Sequence, residues 1–212
     1  MTDHASDPDA LLARAKAGDA NALADLFTGY RERLKRMVAL RLDRRLTGRV
    51  DPSDIIQEAF LEVHKRFKEY ARDGSVPFFL WLRLVTGQKL TDCHRHHLGA
   101  KMRDAGQEVS LYRGAMPQAS SLSLAAQLLG KLTSASQAAI RAEHKLHVQE
   151  ALNSMEPLDR EVLVLRHFEH LTNDETALVL GLRKSAASQR YIRALKRLKE
   201  ILSAIPGFGN GL

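Results

Sequence analysis

The sequence predicts an all-α protein of two helical domains joined by a flexible linker, and three observations carry that prediction. Apolar residues recur at intervals of three and four, not two, through most of the chain. Glycine and proline are sparse inside those periodic segments and gather between them. Two stretches carry helix-start signals. Asp51 before Pro52 is an N-cap with proline in the first helical position, and Thr172-Asn173-Asp174-Glu175 is a T-x-x-E capping box.

In chain order, residues 1–9 form an acidic N-terminus expected to be disordered and without the apolar core of a secretory signal. Residues 10–98 make the first domain. Leu12, Ala15, Ala22, Leu23, Leu26 and Phe27 suggest an opening helical hairpin broken around Gly18-Asp19, followed by a basic helix from about Tyr30 to Leu46. After the GRVDPSD turn a new helix starts at Asp51, with Ile56, Phe60, Val63 and Phe67 as its core face. Residues 99–142 are rich in Gly, Ser, Ala and Gln and read as a linker with one short helix over Leu122–Leu132. The second domain spans 143–204. Val148, Leu152 and Met155 line a helix closed by Pro157, and another helix covers Asp159 to Phe168. Residues 205–212 are expected to be a flexible tail.

Hydrophobic residues make up 44% and charged residues 27%, a globular and not a disordered balance. The excess of Lys and Arg over Asp and Glu, 32 − 25 = +7, favours polyanionic partners. No apolar run reaches the roughly 20 residues of a membrane span. The lone Cys93 excludes an intrachain disulfide and fits a reducing cytoplasm.

The basic charge concentrates in RKSAASQRYIRALKRLKE, residues 183–200, with seven basic side chains and one acid. Alone, such a run reads as a solvated helix. Its neighbours change the reading. A helix starts at Thr172, Ala177, Leu178 and Leu180 supply apolar positions, and Gly181 stops it. After a short turn through Leu182-Arg183-Lys184, Ser185 caps a second helix whose buried stripe is Tyr191, Leu195, Leu198 and Leu202. Two helices across a short glycine turn match a helix-turn-helix, in which the start of the second helix reads DNA. Thr172, Lys184, Ser185, Ser188, Gln189, Arg190 and Arg193 are the candidate contacts, since such side chains bond base edges or phosphates.

On the helix after Asp51, a second face carries Asp54, Gln57, Glu58 and Leu61. Spacing alone leaves it open between a docking face and a solvated one. The stretch Asp54-Ile55-Ile56-Gln57-Glu58-Ala59-Phe60-Leu61 resembles the D-x-x-Q-E-x-F-L signature of extracytoplasmic-function (ECF) sigma factors of the sigma-70 family. Phe79-Leu80-Trp81-Leu82 with Asp92 and Arg95 is similar to that family's F-x-W-L…D-x-x-R stretch. Leu152, Arg160, Leu163, Leu165, Arg166 and Phe168, followed by Glu175, Ala177, Gly181, Arg190, Arg193, Ala194 and Leu198, resemble its fourth region.

The resemblance implies an alternative sigma factor that binds core RNA polymerase through the β′ clamp helices and the β subunit. Asp54, Gln57, Glu58 and Leu61 would then face polymerase. It implies that the first domain opens the promoter −10 element with the Tyr70–Phe78 loop, which holds Arg72 and Ser75. Gln88 would support the base pocket, with Lys89 and Arg95 on phosphates. The second domain would read the −35 element, and an anti-sigma factor or other regulator is admitted as a partner. Family members commonly carry valine and lysine where Ala187 and Ser188 stand, so no −35 sequence transfers.

Two alternatives remain at this level: a stand-alone helix-turn-helix regulator, and a helical adaptor without DNA binding. Cys93 and His97 share a helix face, but no second ligand pair accompanies them, and the neighbouring histidines read as polar surface groups. No metal or cofactor is expected. No phosphate-binding glycine loop or nucleophile elbow is present, and no enzymatic activity is expected.

Overall fold

The structure, a computed structural model, describes residues 7–99, 116–130 and 138–203. Among these the elements are helices α1 (Pro8–Lys16), α2 (Ala20–Arg41), α3 (Pro52–Asp73), α4 (Phe78–Leu98), α5 (Ser121–Gly130), α6 (Ala138–Ser154), α7 (Pro157–Leu163), α8 (Asn173–Leu180) and α9 (Lys184–Ser203). No β-strand occurs among the described residues.

The first block, α1 to α4, is a bundle whose entries are set by aspartates. Asp7, Asp19 and Asp51 each accept a backbone N–H at the start of α1, α2 and α3. Helix therefore begins at Pro8, within the stretch expected to be disordered; residues 1–6 lie outside the described residues. The expected separate helix from Tyr30 is instead the continuation of α2, which runs unbroken to Arg41. Nothing in that stretch breaks a helix, and its apolar positions Leu34, Met37 and Val38 are fully buried. A 3₁₀ turn over Arg44–Leu46, capped by Asp43, then leads toward α3.

The segment expected to be a loose linker is ordered where it is described. Ser120 donates its backbone N–H to the Leu40 carbonyl at 2.8 Å. Leu124 and Ala125 of α5 are buried with Leu40, Val148 and Leu152. The short helix expected over Leu122–Leu132 is α5. Its C-terminal side chains, residues 100–115 and 131–137 lie outside the described residues. Met116 crosses α4 at Gly87, where a β-carbon would stand 2.2 Å from Met116 Cε.

The second block comprises α6 to α9. Pro157 opens α7 and does not merely close α6. The helix expected to reach Phe168 keeps α geometry only to Leu163, and Val164–Phe168 form a wider π turn. His170 follows at φ 55, the one positive value outside glycine among the described residues. Residues 204–212, including the expected tail, lie outside the described residues.

The two blocks share one core. Val162, Leu165, Leu171, Val179 and Leu180 of the second pack into the same apolar cluster as Phe27, Leu34, Phe79 and Trp81 of the first. Burial of large apolar side chains, each contributing about 1.5–3 kcal/mol, explains why both hold together.

Candidate nucleic-acid and partner interface

The helix-turn-helix forms, although α9 begins at Lys184, so Ser185 lies inside its first turn and does not cap it as expected. Thr172 Oγ1 accepts the Glu175 N–H at 3.1 Å, and Glu175 Oε2 accepts the Thr172 N–H at 2.7 Å. Gly181 takes the left-handed conformation at φ 65, ending α8 and letting the Leu182 N–H reach the Ala177 carbonyl at 2.9 Å. On α9, Ala187 and Ala194 are fully buried and Leu202 nearly so, while Tyr191, Leu195 and Leu198 are half-buried. The stripe is thus centred on small residues, and Ala187 fits there because α9 lies close against its neighbours.

The outward face of α9 exposes Ser185, Gln189 and Arg193, with Ser188 at its margin. The remaining candidate cations are held. Lys184 Nζ lies 2.6 Å from Asp174 Oδ2, with both side chains exposed. Arg190 Nη1 lies 2.6 Å from Asp159 Oδ1 and 3.1 Å from Glu156 Oε2. Burial lowers the Arg190 pKa, but its bonds to Asp159 and Glu156 outweigh that and raise it. Thr172 is exposed with its hydroxyl used as the cap.

On α3, Asp54, Gln57, Glu58 and Leu61 are all exposed on one face, Leu61 to 57%. Ile56, Val63 and Phe67 are buried opposite, and Phe60 is half-buried between them. A large aliphatic side chain held in water beside acids and an amide is the composition of a docking face more than of a solvated one.

Near the end of α3, the Tyr70 hydroxyl donates to the Val76 carbonyl at 2.9 Å and fixes the loop before α4. Arg72 and Ser75 are exposed there, Ser75 Oγ bonding Asp73 Oδ2 at 3.1 Å. Beside the loop lies a cleft of about 510 Å³, lined by Tyr30, Tyr70, Ser75, Phe78 and Phe79. Glu175 of α8 contributes to its wall. Trp81 is core, stacked on Tyr70 at 4.6 Å between ring centroids.

Gln88, Lys89 and Arg95 line α4 at a distance from that loop. Gln88 Oε1 accepts from Arg66 Nη1 at 2.7 Å, Lys89 Nζ stands 3.4 Å from Glu62 Oε2, and Arg95 pairs with Asp92. Contrary to the reading of these histidines as surface groups, His94 is buried and only His96 and His97 are exposed. His94 Nε2 accepts the Asp43 N–H at 3.1 Å. Burial lowers the His94 pKa against the opposing pull of Asp43, and Nδ1 has no hydrogen-bond partner. Asp43 itself is held at about 2 by its hydrogen bond from Arg45. No group of three or more His, Cys, Asp or Glu suited to a metal occurs among the described residues.

The residues that sequence reasoning missed sit between the blocks. Arg41 of α2 and Arg83 of α4 are buried together with Glu169, and Glu161 is nearly so. Arg83 Nε lies 2.7 Å from Glu169 Oε2, Arg41 Nη2 lies 2.6 Å from Glu161 Oε1, and Arg41 also pairs with Glu169. Burial raises the Glu169 pKa, but Arg41 and Arg83 prevail and hold it at about 2. Arg33 of α2 donates to the carbonyls of Glu169 and His170 at 2.7 Å each and lies 3.5 Å over the Phe79 ring. The available signal was a lone acid in the apolar run VLVLRHFEHL.

An all-helical chain that ends in a helix-turn-helix and exposes a polar face on an earlier helix defines a DNA-binding transcription protein of the sigma-70 type. The family model described as "Sigma-70, region 4" matches residues 145–198. The chain is 30% identical over 194 residues to the ECF RNA polymerase sigma factor ShbA of Streptomyces griseus, covering 91% of this chain and 93% of that one. It is 28% identical over 196 residues to the ECF RNA polymerase sigma factor SigD of Mycobacterium tuberculosis, covering 92% and 84%. A solved structure titled "Structure of CnrH in complex with the cytosolic domain of CnrY" shares the fold, with TM-score 0.54 and 22% identity over 93% of this chain and 99% of that one. The chain belongs to the ECF family of RNA polymerase sigma factors. Among the described residues, no helix is long and apolar enough to cross a membrane.

Proposed function

We propose that the chain is an alternative sigma factor that binds core RNA polymerase and directs it to a promoter, with residues 10–98 and 143–204 acting as separate working domains. The observation that carries this reading is the pairing, in one chain, of an exposed Asp54–Gln57–Glu58–Leu61 face with a capped helix-turn-helix. The α3 face docks on polymerase, Leu61 supplying apolar contact and the polar residues fixing orientation. At the −10 element, the cleft beside the Tyr70–Phe78 loop takes an extruded base, an event that costs a few kcal/mol and needs an aromatic pocket to offset it. Arg72 and Ser75 meet the strand there, and Gln88, Lys89 and Arg95, farther along α4, meet the DNA beyond the pocket, Lys89 and Arg95 exchanging their acidic partners for phosphates. At the −35 element, Ser185, Ser188, Gln189 and Arg193 face the major groove, while Thr172, Lys184 and Arg190 position the motif. No covalent chemistry is required of the chain. Promoter DNA and the β′ and β subunits are its partners, and an anti-sigma-type regulator rests on the family resemblance alone.

The test is transcription with reconstituted holoenzyme on genomic fragments, mapping the start sites. Discrete starts that depend on the chain are expected. Gln57→Ala with Glu58→Ala should abolish them while helicity is kept, and undiminished co-purification of that variant with polymerase would refute the docking assignment.

A further inference from the structure

The contacts assigned to the −10 element come from the Tyr70–Phe78 loop and α4, yet the cleft beside that loop has a second wall. Pro8, Asp9, Leu12 and Lys16 of α1 and Tyr30 of α2 line it. This wall is fixed from behind. Leu11 and Ala15 of α1 are buried in the bundle core, and the half-buried Tyr30 ring rests on Phe79 and Phe78, with centroids 5.3 and 6.2 Å apart.

The polar groups on the wall are not used inside the protein. Among the described residues, the Tyr70 hydroxyl donates to the Val76 carbonyl and the Tyr191 hydroxyl pairs with His167, whereas the Tyr30 hydroxyl has no hydrogen-bond partner and is not sealed from solvent. A phenol with a packed ring usually finds a partner, so an accessible one on a fixed ring is available to a ligand. Burial raises the Tyr30 pKa against the pull of Arg33, and Asp9 and Glu175 add to the rise, so the hydroxyl stays neutral and can donate. Asp9 is exposed at the start of α1, and its carboxylate pairs with no cation among the described residues. Glu175, the other acid of the cleft, is engaged: its Oε2 accepts the Thr172 N–H at 2.7 Å and stands 3.8 Å from Arg33.

Lys16 reaches from the end of α1 to the start of the loop. Its Nζ lies 5.8 Å over the Tyr70 ring and 3.9 Å from where a β-carbon on Gly74 would stand. The ring and the C-terminus of α1 both attract an ammonium. Among the described residues no carboxylate lies within ion-pair distance of it, so its N–H donors remain for an anion. Arg14, on the same helix, is by contrast paired with Asp19 at 2.6 Å.

An acceptor beside a donor selects one kind of base edge. On their Watson–Crick edges, adenine and cytosine present an amino group next to a bare ring nitrogen, whereas guanine and thymine present a carbonyl next to an N–H. A carboxylate can only accept, so it takes the amino group, and a neutral phenol can donate to the ring nitrogen. We propose that Asp9 and Tyr30 form a reading wall of the −10 cleft that takes the edge of an extruded adenine or cytosine, while Lys16 holds a neighbouring phosphate of the same strand. The proposal rests on the −10 reading of the Tyr70–Phe78 loop.

The experiment uses holoenzyme reconstituted with the full chain. Its probes are promoter fragments unpaired over the −10 segment, carrying each of the four bases in turn at each position. The unsubstituted chain should favour adenine or cytosine at one position. Tyr30→Phe keeps the ring and removes one neutral hydrogen bond, so that preference should fall by about threefold to tenfold and the other positions should not change. A structural role for Tyr30 would instead lower binding to every fragment alike. Asp9→Asn, whose amide also donates, should admit guanine and thymine at the same position. Lys16→Ala should weaken all sequences equally and reduce the log–log salt slope by about 0.7, and Lys16→Arg should restore both. Arg72→Ala, in the loop itself, separates the two possible failures. If it weakens binding while Tyr30→Phe, Asp9→Asn and Lys16→Ala behave as the unsubstituted chain, the wall is overturned and the −10 reading stands. If Arg72→Ala is also without effect, both fall. A preference for guanine or thymine at the position sensitive to Tyr30→Phe would overturn the wall as well.

Discussion

The helices α3 and α9 have nearly the same length, 22 and 20 residues, and each sets an apolar stripe against a polar face. They use their polar faces differently. On α3 the outward residues are of mixed character, and one of them, Leu61, is apolar and in water. On α9 they are mostly basic, but the basic charges are divided between inward and outward work. Arg190 is consumed by Glu156 and Asp159 of its own block, whereas Arg193 is exposed. Net charge on a helix therefore overstates what a partner meets, and an exposed aliphatic residue can be the better marker of a binding face.

That contrast can be broken most decisively at Leu61. Leu61→Asp is expected to reduce core polymerase binding by at least tenfold, measured by competition for holoenzyme formation, with no loss of thermal stability because the side chain is not in the core. Next come Ser188→Ala and Gln189→Ala. Each should shift −35 preference by about 1–3 kcal/mol per base contact, read by selection from randomised promoters, and unaltered preference after both would remove them from the reading surface. The two arginines sharpen the comparison within α9. Arg190→Ala should lower stability by about 1 kcal/mol through its partly buried pairs, seen as a lower unfolding midpoint. Arg193→Ala should leave the midpoint in place, weaken promoter binding by about 1–3 kcal/mol and relax the preference at the base it meets. The smallest effect is expected at His94. Its folded pKa is below the unfolded value near 6.5, so the unfolded chain binds the extra proton first. Stability should be level above about pH 6.5, decline as pH falls toward the lowered folded value, and then flatten; His94→Gln should remove that decline.

Much of the fold is legible in the sequence because its boundaries are written in local chemistry. Asp51-Pro52 and the Thr172–Glu175 box need no tertiary information, and Gly181 stands where a left-handed turn is required. The candidate surfaces are legible as faces, since Asp54, Gln57, Glu58 and Leu61 share a helical register. The contacts between blocks are not. Arg41 sits in a helix full of basic residues, and nothing in its spacing distinguishes it from Arg36; only partners 120 and 128 positions away make it a core residue. His94 is hidden for the same reason, as its acceptor role depends on the Asp43 backbone 51 positions earlier. The length of α2 is obscured because Gly29 and the basic composition after it suggest a change of element, although a single glycine weakens a helix by only about 1 kcal/mol and does not end it.

The π turn at Val164–Phe168 bears on how the chain is compared with its relatives. A π turn holds one residue more than the α turn it replaces, so it acts as a single-residue insertion inside a helix. Removing any one of those residues would restore α geometry and leave the downstream chain facing nearly the same way, since four α residues at about 100° each turn through almost the same angle as five π residues. The Glu169 carboxylate would then still face Arg41 and Arg83. A one-residue gap between Leu163 and Leu171 in an alignment with a related chain is thus compatible with the same ion pairing, because the wider turn absorbs the extra residue.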